Sequence, residues 1–86
     1  MNMTDEQWGR LLVALGCVPA ADVAMACNMR DVRDLFEVVM RGIEWEHTRS
    51  LRLSDEHKDD ALFFARTFGI DPATGQYITS DDGVAQ

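Results

Sequence analysis

The strongest helical signal in this chain is the run 31–43, which reads DVRDLFEVVMRGI. Its apolar residues recur every three or four positions, as they do on one face of an α-helix. They form one stripe: Val32, Leu35, Phe36, Val39 and Ile43. We therefore predict a long helix that begins at Asp31 and turns this stripe to the core. Gly42 costs about 1 kcal/mol relative to alanine, so the helix either bends there or is closely approached by a neighbour.

Helical signals also lie on both sides of this run. Thr4 and Gln7 fit a capping box ahead of apolar residues at helical spacing. Residues 20–29 form a short segment rich in alanine and methionine, which we expect to be a small helix. Ser54 is suited to be the N-cap of a last helix, and Gly69 is suited to end it.

The sequence changes character after Gly69. Residues 71–75 read DPATG, which has the residues of a type I turn, and residues 76–79 look extended but have no evident partner strand. The prediction is an all-α fold, a small three- to four-helix domain over residues 1–79 with an irregular C-terminal tail. We expect the tail, the acidic segment 80–86, to be frayed.

Length and charge narrow the classes of function. The chain has 86 residues, and its eight basic residues against fifteen acidic ones give a net charge of -7. A duplex-DNA binder needs a basic face to displace counterions, so we expect no direct binding to duplex DNA. No apolar run approaches the roughly 20 residues of a membrane span, and the start has no signal-peptide character. We therefore expect a cytoplasmic protein with no membrane partner.

Cysteines and histidines are present, but their spacing does not favour a metal site. Cys17, Cys27, His47 and His57 each lie ten or twenty residues from the next. Structural zinc sites use close pairs of ligands, so we expect no metal and no cofactor. A Cys17–Cys27 disulfide is a weaker alternative than two small, buried, apolar side chains, because we expect a reducing compartment.

The best catalytic candidates are Glu46, His47 and Ser50, which extend the predicted stripe beyond Ile43. No nucleophile motif accompanies them, and a usable site also requires a pocket. We therefore predict that the chain is not an enzyme. The commoner explanation of these polar residues is that the long helix extends beyond the core, so that its polar end is solvated or lies against another subunit.

One candidate binding surface is an acidic patch at the start of the last helix. It consists of Asp55, Glu56, Asp59 and Asp60. These carboxylates suit the positive end of the helix dipole and favour solubility. They would also suit a partner protein with a basic groove of the kind that holds nucleic acid. Our first hypothesis is therefore a small acidic inhibitor that masks such a partner, similar in size and charge alone to anti-CRISPR and DNA-mimic proteins.

A second candidate surface combines apolar side chains with arginines. Its residues are Val38, Arg41, Trp45, Arg49, Arg52 and Phe63. Val38 and Trp45 fall opposite the predicted core stripe, and Arg49 lies one turn from Trp45, close enough to stack on its indole ring. This face is either an exposed interface or ordinary core, if the helix is covered on two sides.

An exposed Trp/Arg face would suit a different function. The alternative hypothesis is an assembly adaptor or chaperone, because the order of helices is loosely similar to that of short phage tail-assembly chaperones. A homodimer that buries Trp45 symmetrically is a further alternative.

Overall fold

The computed structural model of the protein describes residues 2–78, and it confirms an all-α fold. The helices are α1 (Asp5–Gly16), α2 (Ala20–Ala26), α3 (Met29–Thr48) and α4 (Asp55–Phe68). An antiparallel hairpin of β1 (Ile70–Asp71) and β2 (Gln76–Tyr77) follows them. The segment 80–86, predicted to be a frayed tail, lies outside the described residues.

Hydrogen bonds from capping side chains define the starts of α1 and α3. The Thr4 hydroxyl accepts a hydrogen bond from the Gln7 amide at 3.2 Å, and the Gln7 side chain accepts one from the Thr4 amide at 2.9 Å, so the predicted capping box is confirmed. Helix α3 begins at Met29, two residues earlier than predicted. The reason is a second capping box, in which Asn28 accepts from the Asp31 amide at 2.8 Å and Asp31 accepts from the Asn28 amide.

The hairpin supplies the strand partner that the sequence did not reveal. Ile70 pairs with Tyr77 and Asp71 with Gln76, because the chain reverses direction over residues 72–75. The Asp71 carbonyl accepts a hydrogen bond from the Gly75 amide at 2.7 Å within this turn. The expectation of an unpaired extended segment was therefore wrong. The hairpin brings Ile70 into the core, where it is fully buried.

The core lies where α1, α3 and α4 meet. Its buried residues are Trp8, Leu11, Leu12, Leu15, Val18, Leu35, Val38, Ala61, Phe64, Ala65 and Ile70. Helices α1 and α3 form the most extensive contact, and Gly42 lies where their backbones are close together. A Cβ atom at Gly42 would lie 2.7 Å from the Leu12 Cβ, so a close neighbour, one of the two predicted alternatives, accounts for this glycine.

The core-facing stripe predicted for α3 was right for Leu35, which is buried, and wrong for three of its five members. Val32, Phe36 and Ile43 are each more than 40% exposed. The residues of α3 that are buried are Leu35, Val38, Gly42 and Trp45. At 100° per residue these four fall within an arc of about 80°. The helix therefore has two apolar arcs, and the contacts with α1 and α4 determine which one is covered.

For the second predicted surface of α3, the alternative of ordinary core burial is confirmed, and the assignment of Val38 and Trp45 to a binding surface was wrong. Val38 is completely buried and Trp45 is only 7% exposed, so neither is available to a partner in this fold. The Trp45 indole packs directly on Gly9 of α1, where any Cβ would overlap the ring. The predicted stack is confirmed: the Arg49 guanidinium lies 4.4 Å from the centre of the Trp45 ring. It covers the outer edge of a core residue rather than marking an interface.

Candidate functional site

The most prominent surface feature is a row of large apolar side chains along α3. We call it the α3 apolar face and define it as Met29, Val32, Phe36, Met40 and Ile43, all of which are exposed. Met29 is 86% exposed and Phe36 is 60% exposed. Within residues 2–78, the other elements leave this face uncovered. Contiguous apolar surface of this kind is uncommon on monomeric proteins and usually marks an interaction site.

The spacing along this face suits contact with another helix. Positions 29, 32, 36, 39 and 43 are separated by alternating steps of three and four residues. This is the heptad spacing of residues that pack between two helices in a coiled coil. Val39, which completes the series, is half-buried at the inner edge of the face.

An apolar groove runs beside the α3 apolar face. Its volume is about 450 Å³, and it lies between the end of α1, helix α2 and the first half of α3. It is lined by Leu15, Gly16, Val18, Ala20, Val23, Ala24, Val32, Leu35, Phe36 and Val39. Val32 and Phe36 belong to both features, so the groove and the face form one continuous surface. Every lining residue is apolar or glycine, as expected of a surface that receives hydrophobic side chains.

The predicted acidic patch lies on the first two turns of α4. Asp55, Glu56 and Asp59 are exposed, whereas Asp60 is half-buried against α3. Burial raises the pKa of Asp60, and the nearby carboxylates of Asp34, Glu56 and Asp59 raise this pKa further, while His57 opposes them. Asp34 of α3 therefore extends the patch across two helices, although the sequence analysis did not include it.

The acidic patch and the α3 apolar face point in opposite directions. Asp34 acts on Asp60 of α4, so its side of α3 faces α4. At 100° per residue, Phe36 lies about 160° around the helix from Asp34. The two surfaces are therefore separated by the full width of α3.

The predicted apolar and arginine surface is divided among three places. Arg41 and Arg52 line a polar depression of about 500 Å³, together with His57 at the start of α4. Arg49 is stacked on Trp45 instead. Phe63 is half-exposed on α4, edge-on to Phe64, with the ring centres 5.3 Å apart. With Val38 and Trp45 buried, these residues do not form a single face.

The residues considered for catalysis are not drawn together around a cavity. Glu46 lines a groove between α1, α3 and the hairpin. His47 is exposed on another side of the helix, with its Nδ1 atom 3.0 Å from the Ile43 carbonyl oxygen. Ser50 is exposed beyond the end of α3. That the chain is not an enzyme stays a prediction.

The two cysteines are free thiols, not a disulfide. Burial, together with the neighbouring carboxylate of Asp31, raises the pKa of Cys27, which keeps the thiol protonated and therefore a poor nucleophile or metal ligand. Within residues 2–78, no group of three or more His, Cys, Asp or Glu side chains is arranged to hold a metal ion.

The sequence analysis missed Met29 and Met40 as surface residues. Met40 lies within the run 31–43 on the same side as Phe36, whereas Met29 was assigned to the preceding segment 20–29. The stripe was assigned to the core, so its outer members were not considered as a binding surface.

Among the helices of residues 2–78, none is by itself long and apolar enough to cross a membrane; α1 and α2 taken together meet the length and composition criteria, but they meet at an angle of 92°. Comparisons with protein-family models, with curated proteins and with solved structures found no significant match.

Proposed function

We propose that this chain is a non-enzymatic protein-binding module that docks its partner on the α3 apolar face. The observation that carries the proposal is the exposure of five large apolar side chains along one 20-residue helix. The domain has a complete core without them. Their exposure therefore adds nothing to folding, and docking is the process that would bury them.

The energetics of burial support this surface over the others. Covering a large apolar side chain contributes about 1.5–3 kcal/mol, so even partial burial of Phe36, Met29 and their neighbours supplies a substantial part of a binding free energy. Exposed charges contribute less, because solvent screens them. We therefore assign affinity mainly to the α3 apolar face, and we assign orientation and association rate to the charges around it.

This proposal favours the adaptor or assembly-chaperone alternative, but it places the docking surface on a different side of α3. Trp45 is buried, so the docking residues are those of the α3 apolar face rather than the Trp/Arg face. An adaptor needs an apolar surface that remains uncovered until its client arrives, and this face meets that requirement. A cytoplasmic location is retained as part of the proposal, because both cysteines are free thiols.

The acidic masking inhibitor is the second candidate function. The observation that favours it is the extension of the patch by Asp34: burial raises the pKa of Asp60, and the carboxylates of Asp34 and of α4 raise this pKa further, so negative charges lie close together across two helices. Asp55, Glu56 and Asp59 project into solvent from a rigid helix, as mimicry of phosphate charge requires. In that function the partner would have a basic groove and its capture would weaken with salt.

Site-specific photocrosslinking tests the proposal. A benzophenone amino acid replaces Phe36 in one variant and Phe63 in a matched control, since both are exposed phenylalanines on different helices. In cells that express the chain, we expect a discrete crosslinked protein from position 36 and not from position 63. Absence of any crosslinked protein at position 36 would contradict the proposal.

The acidic candidate has its own experiment. The double variant Asp59→Lys/Asp60→Lys reverses charge on α4 without changing the α3 apolar face. If the chain is a masking inhibitor, the reversal abolishes a salt-sensitive interaction that Phe36→Ser leaves intact. The opposite pattern supports the docking surface proposed above.

A further inference from the structure

We infer that the α3 apolar face binds a second copy of this chain, with the two α3 helices packed antiparallel about a twofold axis. The inference rests on the proposed function, because it assumes that this face is a docking surface. It adds the identity of the occupant. Three features of α3 support a second copy: the symmetry of the apolar spacing, the order of the flanking charges, and the location of the excess negative charge.

The apolar spacing is self-complementary when the helix is reversed. In an antiparallel pair, heptad positions of one helix face the alternate positions of the other. One register places Phe36 beside Val39 of the second copy and Val32 beside Ile43 of the second copy, and each contact occurs twice by symmetry. Val32, Phe36 and Ile43 of these pairs are exposed, and Val39 is half-buried at the inner edge of the face. The apolar groove beside Val32 and Phe36 leaves room for the side chains of the second copy.

Two charged residues lie along one flank of the α3 apolar face, and their order along α3 agrees with an antiparallel pair of helices. Arg33 is basic and lies in the first half of α3, whereas Glu44 is acidic and lies in the second half. Both are exposed, and neither has an ionic partner within residues 2–78. In the register above, Arg33 is offset by two residues, or about 3 Å, from Glu44 of the second copy, which is within reach of an arginine side chain. In a parallel pair this flank would face the opposite flank of the second copy, so Arg33 and Glu44 would not meet.

The net charge of -7 does not oppose this arrangement. The acidic patch lies on the α4 side of α3, about 160° from the docking face. In the dimer the two patches therefore point away from each other, separated by more than the Debye length of about 8 Å at physiological salt. The flank next to the seam carries one charge of each sign, Arg33 and Glu44.

Sedimentation equilibrium and light scattering over a wide range of concentrations test the inference. We expect the wild-type chain to show a concentration-dependent monomer–dimer equilibrium. Phe36→Asp should weaken dimerisation by about 100-fold or more, because it places a charge at the centre of the interface. Phe63→Asp is the matched control and should change the association constant by less than about twofold, because Phe63 lies on α4 away from the seam. Circular dichroism checks that both variants remain folded.

Charge reversal tests the antiparallel direction separately. Arg33→Glu and Glu44→Arg should each weaken dimerisation by about tenfold, because each creates two like-charged pairs. The double variant Arg33→Glu/Glu44→Arg should return to within about threefold of the wild type, because it restores both pairs with their signs exchanged. Single variants that dimerise as well as the wild type would overturn the antiparallel arrangement.

A chain that remains monomeric at every concentration up to about 0.5 mM would overturn the inference as a whole. This outcome would distinguish the inference of a second copy from the proposed docking function. A foreign protein crosslinked at position 36 in a monomeric chain leaves the docking function standing and removes the second copy as occupant. A dimer that Phe36→Asp leaves intact would place self-association on a different surface and would also contradict this inference.

Discussion

Gly42 of α3 lies in direct contact with Leu12 of α1. A Cβ atom at Gly42 would stand 2.7 Å from the Leu12 Cβ and 3.0 Å from the Leu12 carbonyl carbon. The two helix backbones therefore meet without an intervening side chain. This contact directs the Leu35, Val38 and Trp45 side of α3 toward the core, and it leaves the α3 apolar face on the outside.

Replacing Gly42 tests whether this close approach determines the packing of the two helices. Gly42→Ala gains about 1 kcal/mol of helix propensity but forces α1 and α3 apart, so we expect a net loss of about 1–2 kcal/mol in the free energy of unfolding. Urea denaturation measures this change in the free energy of unfolding. Gly16→Ala is the control, because its Cβ would meet only one methyl group of Val39, at 3.1 Å, and no backbone, so it should cost at least about 1 kcal/mol less than Gly42→Ala. Equal effects in the two variants would contradict this account.

The contrast between Trp45 and Phe36 separates core from interface. Trp45→Ala should reduce the free energy of unfolding by about 3–5 kcal/mol, because it empties the space over Gly9. Phe36→Ser should change it by less than about 0.5 kcal/mol in the monomer, because this side chain is mostly in solvent. Thermal unfolding at low protein concentration gives both values. A Trp45→Ala variant of wild-type stability would favour the other alternative, in which Trp45 is a surface anchor.

Arg49 combines a strained backbone with a favourable stack, and substitutions separate the two. It ends α3 with φ 58°, a left-handed conformation that costs a side-chain-bearing residue about 1 kcal/mol. Arg49→Ala keeps this strain and loses the contact with Trp45, so we expect a loss of about 0.5–1 kcal/mol. Arg49→Gly loses the contact but relieves the strain, so it should be about 1 kcal/mol more stable than Arg49→Ala.

Gly69 provides the reference for the strain at Arg49. It ends α4 with φ 74°, and a Cβ there would meet nothing within 4 Å. Gly69→Ala should therefore reduce the free energy of unfolding by about 1 kcal/mol through backbone strain alone. Chemical denaturation of the three variants checks the set. If Arg49→Gly and Arg49→Ala were equally stable, the strain at position 49 would be negligible.

The raised pKa of Asp60 predicts a particular dependence of stability on pH. Folding disfavours its ionised form, so the charge carries a cost at neutral pH that is relieved as pH falls through the raised pKa. Asp60→Asn should therefore stabilise the fold by about 0.5 kcal/mol or less at pH 7. The advantage over wild type should shrink toward pH 4 and vanish below it, where the aspartate is protonated in both states.

A neighbouring carboxylate gives the control for the pH experiment. Asp55 lies in the first turn of α4, where the helix dipole favours a negative charge. Asp55→Asn should therefore have the opposite sign and destabilise at pH 7. Denaturation curves of the two variants and the wild type, collected from pH 3 to pH 7.5, compare them. A benefit of Asp60→Asn that persists at the acid end would contradict the assigned cause.

Local signals in the sequence predicted most of the fold. The capping box at Thr4, the N-cap at Ser54 and the helix end at Gly69 were all confirmed. These features depend on residues three or four positions apart, so they can be interpreted without knowing the tertiary structure. The capping box at Asn28 was missed because aspartate replaces the usual glutamate or glutamine at its third helical position.

The candidate site could be predicted only in part. The acidic patch followed from its position at the start of a helix, and the Arg49–Trp45 stack followed from the spacing of one helical turn. The exposed apolar face could not be assigned, because α3 has apolar residues on two arcs and periodicity does not indicate which arc meets a neighbour. Phe36 and Val38 are both apolar, yet the first lies in solvent and the second is completely buried.

The amino-acid sequence alone thus determined the class of fold, the limits of most helices and the acidic character of α4, because these depend on local composition and spacing. The tertiary structure decided which side of α3 is core. Two long-range contacts decide this. The Gly42 backbone packs against Leu12 and the Trp45 ring packs against Gly9, so α1 covers that side of α3. The opposite side, which carries the strongest amphipathic pattern in the chain, is thereby left uncovered, and on that side we place the binding function.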